Sequence, residues 1–272
     1  MKDTLKHKEE LAIKLLKEIP SDDIELCYSG GKDSDVILYL ARLAGIPFTA
    51  IYKNTTIDPP GTIKHCIDNG VQIIQPKMTF FQLIDKKGFP SRFARFCCSE
   101  LKEYKIKDYA VLGIRREESK ARAKRYTEPE MCRVYSKNEK CKHYYPILYW
   151  TKVDVEEYIT QNHIQLHPLY YREDGRLNCN RRLGCMCCPL QSDRGLSDFK
   201  AHPKLVRVWL QHGKVWWDAH PNLKIRTYFS DIYEAFVFRT FADNLTKITL
   251  NKEALFPTDW KASLEDYFKI RI

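Results

Sequence analysis

Six consecutive residues, Ser29-Gly30-Gly31-Lys32-Asp33-Ser34, put two hydroxyls, a lysine, a carboxylate and two glycines in one stretch. Glycine lets a backbone turn approach a ligand closely, and lysine brings a full positive charge. That mixture suits an anion, above all a phosphate. A second set of reactive side chains is sulfur: Cys97-Cys98, and Cys185-Met186-Cys187-Cys188 further on. Clustered thiols bind metal or do redox chemistry more often than they pack inertly.

The elements that must hold these residues can be read on either side of them. Ile24 to Tyr28 is an apolar run of strand length. Asp35 to Ala44 carries Val36, Ile37, Leu40, Leu43 and Ala44 at helical spacing. Strand, glycine turn and helix together aim backbone N–H groups and the positive helix end at an anion. The turn is not G-x-x-x-x-G-K-[ST], since position 26 is Leu, and it is not G-x-G-x-x-G. Its bland alternative is a plain serine-glycine connection.

Further elements follow the same alternation. A helix is expected over 4–18, a strand over Phe48–Tyr52, a helix over Pro59–Asn69 and a strand over Val71–Gln75. Helices are expected over Thr79–Lys86 and Ser99–Lys107, and a strand over Tyr109–Ile114. Thr151 is a good N-cap for a helix over Lys152–Asn162. The expected class is α/β: a mostly parallel twisted sheet with helices on both faces, with ligands beyond the carboxyl ends of the strands. The division expected is 1–195 for a nucleotide-binding domain with a cysteine-rich segment, and 196–272 for a helical extension. Trp209, Trp216, Trp217, Phe236, Phe238, Phe241 and Trp260 in that extension suit packing between helices.

Cys185 and Cys188 form a C-x-x-C, whose turn lets two thiolates reach one metal or cluster. Cys97 and Cys98 are the natural second pair. Four thiolates suit a [4Fe–4S] cluster or a structural zinc. A vicinal pair spreads more easily over a cubane than around one zinc ion. Other sets stay open: Cys132, Cys141, Cys179 and Cys187 as a separate zinc site, or Cys179 or Cys187 replacing Cys97 in a cluster. Cys27 and Cys66 sit in strand and helix contexts and are expected to pack as small apolar groups.

Net charge is +10, which favours an anionic partner, nucleotide or nucleic acid. Ten cysteines in 272 residues without an apolar leader read as a reduced, cytoplasmic protein. No apolar run is long enough to cross a membrane.

Taken with their context, these motifs resemble a known group. Ser-Gly-Gly-Lys-Asp-Ser is similar to the pyrophosphate loop of the N-type ATP pyrophosphatases, with their adenine nucleotide alpha-hydrolase-like fold. FCCSELK at 96–102 and GCMCCP at 184–189 resemble the Cys-Cys and C-x-x-C pairs of adenylyl-sulfate (APS) reductases. GIRREESKARA at 113–123, PILYWTKVDVEEYI at 146–159 and HPLYYREDGR at 167–176 resemble further segments of the phosphoadenylyl-sulfate (PAPS) reductase-like family. The resemblance runs from about residue 24 to 190. It implies nucleotide binding by Ser29, Gly30, Gly31, Lys32, Asp33, Ser34, Gly113, Arg115 and Arg116. Lys32, Asp33 and Arg115 would be catalytic, and Cys97, Cys98, Cys185 and Cys188 would hold a [4Fe–4S] cluster.

Two departures bear on activity. Reductases of this kind use a cysteine near the C-terminus, and none follows Cys188 here. They also usually lack the loop lysine, which this chain keeps. Lys32 can neutralise charge on the β,γ-phosphates of ATP, and Asp33 can position Mg²⁺ or a water. The leading expectation is therefore cleavage of ATP at its α-phosphate, transfer of AMP to an acceptor and release of pyrophosphate, in preparation for sulfur transfer. This resembles the branch that holds DNA phosphorothioation sulfurtransferases, and cluster-dependent tRNA thiolases. Partners would then include DNA or tRNA backbone, a cysteine desulfurase or a partner subunit. Arg115, Arg116, Lys120, Arg122, Lys124 and Arg125 form a basic stretch suited to a nucleic-acid backbone, or to a nucleotide plus a solvated helix face. The alternatives are a PAPS or APS reductase using Cys132 or Cys141, and a nucleotide-binding regulator with a structural or redox-sensing metal site.

Overall fold

The computed structural model describes residues 4–137, 139–222, 224–241 and 258–272. The part of the expected helical extension at 242–257 lies outside the described residues.

The described chain separates into two compact units. The first comprises residues up to 54, 58–75 and 104–184; the second comprises 55–57, 76–103 and 185 onward. The division is interleaved rather than falling at residue 195. Segment 76–103 leaves the first unit between two of its strands, because its apolar side chains pack with the helices after 195.

In the first unit six strands are ordered β3-β2-β1-β4-β6-β5. They are β1 (Ile24–Tyr28), β2 (Thr49–Lys53), β3 (Gln72–Ile74), β4 (Tyr109–Leu112), β5 (Glu130–Ser136) and β6 (Glu139–Tyr144). All neighbours pair parallel except β5 and β6, an antiparallel edge hairpin. That hairpin is absent from the sequence reading. Its strands are too polar to show a buried run, and β5 shows half-buried and exposed residues in alternation. Helices α1 (Leu5–Lys17), α2 (Lys32–Ala44), α3 (Thr62–Asp68) and α7 (Lys152–Gln161, capped by Thr151) pack around the sheet, and a short α6 (Lys120–Arg125) follows β4. The α2 helix buries Val36, Ile37, Leu40 and Ala41 against the core that contains Leu26 and Val111. It starts three residues earlier than its apolar spacing suggests, because Lys32, Asp33 and Ser34 already form its first turn.

The chain moves outward from β1 to β3 and then returns to the other side of β1 as β4. That reversal opens a crevice beyond the carboxyl ends of β1 and β4, where ligands bind in such sheets. The loop Ser29–Gly31 leaves β1 there, and Gly113–Arg115 leaves β4.

His143 on β6 is buried, with one ring nitrogen 3.3 Å from the Tyr135 hydroxyl and the other 3.3 Å from that of Tyr145. Burial, then the charge of Arg133, pulls it from the ordinary 6.5 down to about 4. Between those values the unfolded chain binds the proton and the folded one does not, so stability rises with pH. Urea midpoints should therefore fall as pH drops from 6.5 toward 4. His143→Gln, which keeps one donor and one acceptor, should flatten that window.

The second unit is helical: α4 (Phe80–Lys87), α5 (Phe96–Leu101), α8 (Leu196–Ala201), α9 (Lys204–Ala219), α10 (Ile232–Phe241) and a helix Trp260–Phe268. The expected helix over 99–107 is thus shorter and earlier. The aromatics do pack as a core: the Trp209 ring lies 5.0 Å from Phe80, 5.3 Å from Phe199 and 6.2 Å from Phe236. Gly213 on α9 faces Phe89, and a β-carbon built there would lie 2.0 Å from Phe89 Cζ. Phe89 cannot swing away easily, since it is fully buried and its carbonyl accepts from Arg239 Nε at 2.8 Å. Gly213→Ala should cost about 2–3 kcal/mol, more than alanine's helix preference returns. A lower urea midpoint with unchanged slope would register it.

Candidate functional site

The loop after β1 is tied by its own hydroxyls. Ser34 Oγ donates to the Gly31 carbonyl at 2.7 Å, and Ser29 and Ser34 lie 3.2 Å apart through their hydroxyls. Gly30 adopts φ +73°, and a β-carbon built there would lie 3.0 Å from Leu183 and 3.4 Å from Thr62, so a side chain would be both strained and crowded. Gly31 caps α2 without a side-chain bond. The Lys32 N–H instead donates to the Tyr170 hydroxyl at 3.2 Å, which also accepts from Leu183 N–H at 3.3 Å. One phenol thereby holds the helix start and the segment before Cys185 in place.

A chain of charges crosses from β1 to β4. Lys32, only 6% exposed, places Nζ 3.1 Å from Asp33 Oδ2. Asp33 Oδ1 accepts from Arg115 Nε at 2.6 Å, and Arg115 Nη1 reaches Glu117 at 3.1 Å. Gly113 is required for this approach: a β-carbon there would sit 2.8 Å from the Asp33 carbonyl oxygen. Both Asp33 oxygens thus already have cationic partners, so the residues present offer no open carboxylate for a resident Mg²⁺.

Ser29, Gly31, Lys32, Asp33, Ser34, Gly113, Glu118, Arg122, Tyr170 and Arg182 line a cleft of about 170 Å³. Glu118 pairs with Arg122 and, at 3.1 Å, with Arg182. Burial, then the charge of Arg182, lowers the Arg122 guanidinium from its ordinary value. An anion entering this cleft would relieve that repulsion. Arg116 turns elsewhere: its guanidinium donates to the Ala123 carbonyl at 3.3 Å and lies 5.6 Å from the Tyr149 ring. Tyr170, Glu118 and Arg182 were not singled out from sequence. Tyr170 lies inside the HPLYY segment and Arg182 in the arginine-rich run before Cys185, but nothing local marks either as a cleft residue.

In the second unit, Cys97 and Cys98 on α5 and Cys185, Cys187 and Cys188 line one pocket with Thr55, Ile57, Phe80, Leu101, Lys102 and Trp209. The Cys97 thiol donates to Cys98, which, with Arg95, holds Cys98 down at about 6 against an opposing burial effect. Cys97 is pushed well up, first by that same bond. Cys185 Sγ lies 3.6 Å from Thr55 Oγ1, and burial raises Cys188. Cys187 also shapes the turn. Its backbone takes φ +56°, its N–H donates to Asp198 at 2.7 Å, and its backbone abuts Gly195.

The other cysteines do not assemble. Cys132 pairs with Lys142 and Arg133 with Cys141, so Cys132 and Cys141 occupy adjacent register positions that face opposite sides of the hairpin. Cys179 is buried in the core of the first unit, while Cys187 belongs to the second. Cys66 is buried and pushed up to about 12. Cys27 borders the cleft with its thiol raised by burial. Among the described residues, no three His, Cys, Asp or Glu side chains close around a single metal ion. No described helix is long and apolar enough to cross a membrane.

Known proteins share much of this chain. Sulfate adenylyltransferase subunit 2 of Shewanella pealeana is 29% identical over 210 residues, covering 62% of this chain and 68% of that protein. An uncharacterized protein of Methanocaldococcus jannaschii is 28% identical over 202 residues, covering 69% of this chain and 46% of its own length. Among solved structures, the phosphoadenylyl-sulfate reductase of Candida auris aligns over 62% of this chain and 92% of its own, at 16% identity and TM-score 0.44. The FMN adenylyltransferase of Candida glabrata, solved with FMN and an ATP analogue, aligns over 65% of this chain and 64% of its own, at 15% identity and TM-score 0.41. The phosphoadenosine phosphosulfate reductase domain model matches residues 23–191, which hold the glycine loop, the arginine after β4 and all five pocket cysteines, and this chain belongs to that family.

Proposed function

We propose that this chain binds MgATP at Ser29–Ser34 and transfers AMP to an acceptor oxygen. The acceptor oxygen attacks the α-phosphorus, the bond from that phosphorus to the bridging oxygen breaks, and its electron pair leaves with pyrophosphate. The observation that carries this reading is Lys32, held inside the cleft at the α2 N-terminus and linked through Asp33 to Arg115. Lys32 would neutralise the departing pyrophosphate, Arg115 would fix Asp33, and Arg122 and Arg182 would take the charge of the α-phosphate or acceptor. Magnesium comes with the nucleotide. The sulfate adenylyltransferase relatives support adenylyl transfer, and their designation as a subunit supports a partner subunit.

The four cysteines of the second unit fit a thiolate-held [4Fe–4S] cluster better than one zinc ion. They share a pocket with Ile57, Phe80, Leu101 and Trp209 that also takes in Thr55, Lys102 and Cys187 and has no carboxylate, and a vicinal pair with a C-x-x-C suits the spread of a cubane. Cys97, Cys98, Cys185 and Cys188 would be its ligands. Such a cluster supplies electrons or sulfur chemistry, which suits sulfur delivery to an adenylated acceptor with a cysteine desulfurase as donor. The reductase reading draws less support. Burial pushes the Cys141 thiol up to about 11, the reverse of an activated nucleophile.

The test is the product. MgATP offered with sulfate or with nucleic acid should yield pyrophosphate. Orthophosphate with ADP, or no pyrophosphate with either acceptor, would remove this reading.

A further inference from the structure

The edge hairpin carries a second cavity, of about 300 Å³, lined by Arg125, Tyr126, Met131, Cys132, Arg133, Val134, His143 and Tyr145. No carboxylate is among these residues. Its cations lie against rings: the Arg125 guanidinium is 5.5 Å from the Tyr126 centroid, and that of Arg133 is 4.7 Å from Tyr135. Tyr126 meets Tyr145 edge-on at 5.1 Å, leaving an aromatic and guanidinium wall rather than a closed stack. His143 is held neutral by burial and adds no charge of its own.

The cavity's position links it to the cleft. Parallel β6 ends at Tyr144 and antiparallel β5 begins at Glu130, so Met131, His143 and Tyr145 lie toward the same sheet end as Ser29 and Gly113. The helix α6 (Lys120–Arg125) spans the gap, with Arg122 in the cleft and Arg125 in the hairpin cavity. Over 120–142 the chain carries eight lysines and arginines against three glutamates. A polyanion crossing α6 would meet positive charge throughout.

We infer that the hairpin cavity holds an unpaired base of a single-stranded nucleic acid, whose backbone then runs over α6 toward the cleft. A base stacks on aromatic and guanidinium planes whatever its identity, whereas a duplex hides those faces. The inference rests on the adenylyl-transfer reading for its purpose, since it names the class of acceptor, but its test does not need turnover.

Fluorescence anisotropy of the full chain with a labelled mixed-sequence strand of about 12 nucleotides measures it. Single strand should bind at least about tenfold more tightly than the same strand annealed to its complement, with affinity falling steeply as salt rises. Tyr126→Ala should weaken binding about tenfold. Arg125→Glu, at an exposed position where folding is not at stake, should weaken it at least as much. Equal binding of duplex, or undiminished binding by both variants, overturns the inference. Strand binding without any pyrophosphate release by the wild type would sink the adenylyl-transfer reading alone, and release with sulfate but no strand binding would sink this one alone.

Discussion

Lys32→Ala should lower ATP-dependent pyrophosphate release by at least about 100-fold, with a folded protein remaining. The two parts of that expectation have different origins. Folding tolerates the change because Asp33, the partner left behind, keeps Arg115 at 2.6 Å and is not stranded as a buried lone charge. Catalysis does not tolerate it, because no second lysine lines the cleft. Its remaining cations, Arg122 and Arg182, lie together on Glu118 and are assigned to the α-phosphate or acceptor, not to the departing pyrophosphate. Asp33→Asn should be milder in activity, about tenfold, since it releases Lys32 and Arg115 rather than removing either. Turnover of Lys32→Ala within about threefold of wild type would show that the loop lysine carries no transition-state charge.

The glycine loop, the strand before it and the arginine after β4 were legible because local chemistry fixes them. Ile24–Tyr28 is the strand its apolar run indicates, and Arg115 meets Asp33 because the sheet order sets β4 beside β1. What was not legible came from distant packing. Glu118 and Tyr170 are ordinary residues until the fold brings them to the cleft. The edge hairpin escaped notice because its strands are polar, and the interleaved units because a helical segment between β3 and β4 finds its apolar partners after residue 195. The same physics separates Arg115 from Arg116. Adjacent in sequence, they point in different directions because Arg115 is extended while Arg116 opens a short 3-10 turn, one reaching Asp33 and the other Tyr149.

Anaerobically purified protein should contain about four irons with matching sulfide and show broad visible absorbance, and both should vanish in Cys98→Ala and in Cys185→Ala. These two variants take one ligand from each pair, so they test whether α5 and the C-x-x-C act on one object. Cys187→Ala is the control. It lies between the ligands in sequence and lines the same pocket, but its backbone makes the contacts to Asp198 and Gly195 that shape the turn. It should keep its iron, and loss of iron there would reassign the ligand set. A colourless protein with one zinc, released by Cys98→Ala, would overturn the cubane. Stability should follow the metal: without it these sulfurs crowd one pocket, where burial raises Cys188 while the bond from Cys97, with Arg95, holds Cys98 down. Binding a cluster replaces thiol protons with iron bonds and joins α5 to the C-x-x-C turn. Chelation should therefore lower the melting temperature of the wild type while leaving that of Cys98→Ala unchanged, a difference that a merely adventitious iron would not produce.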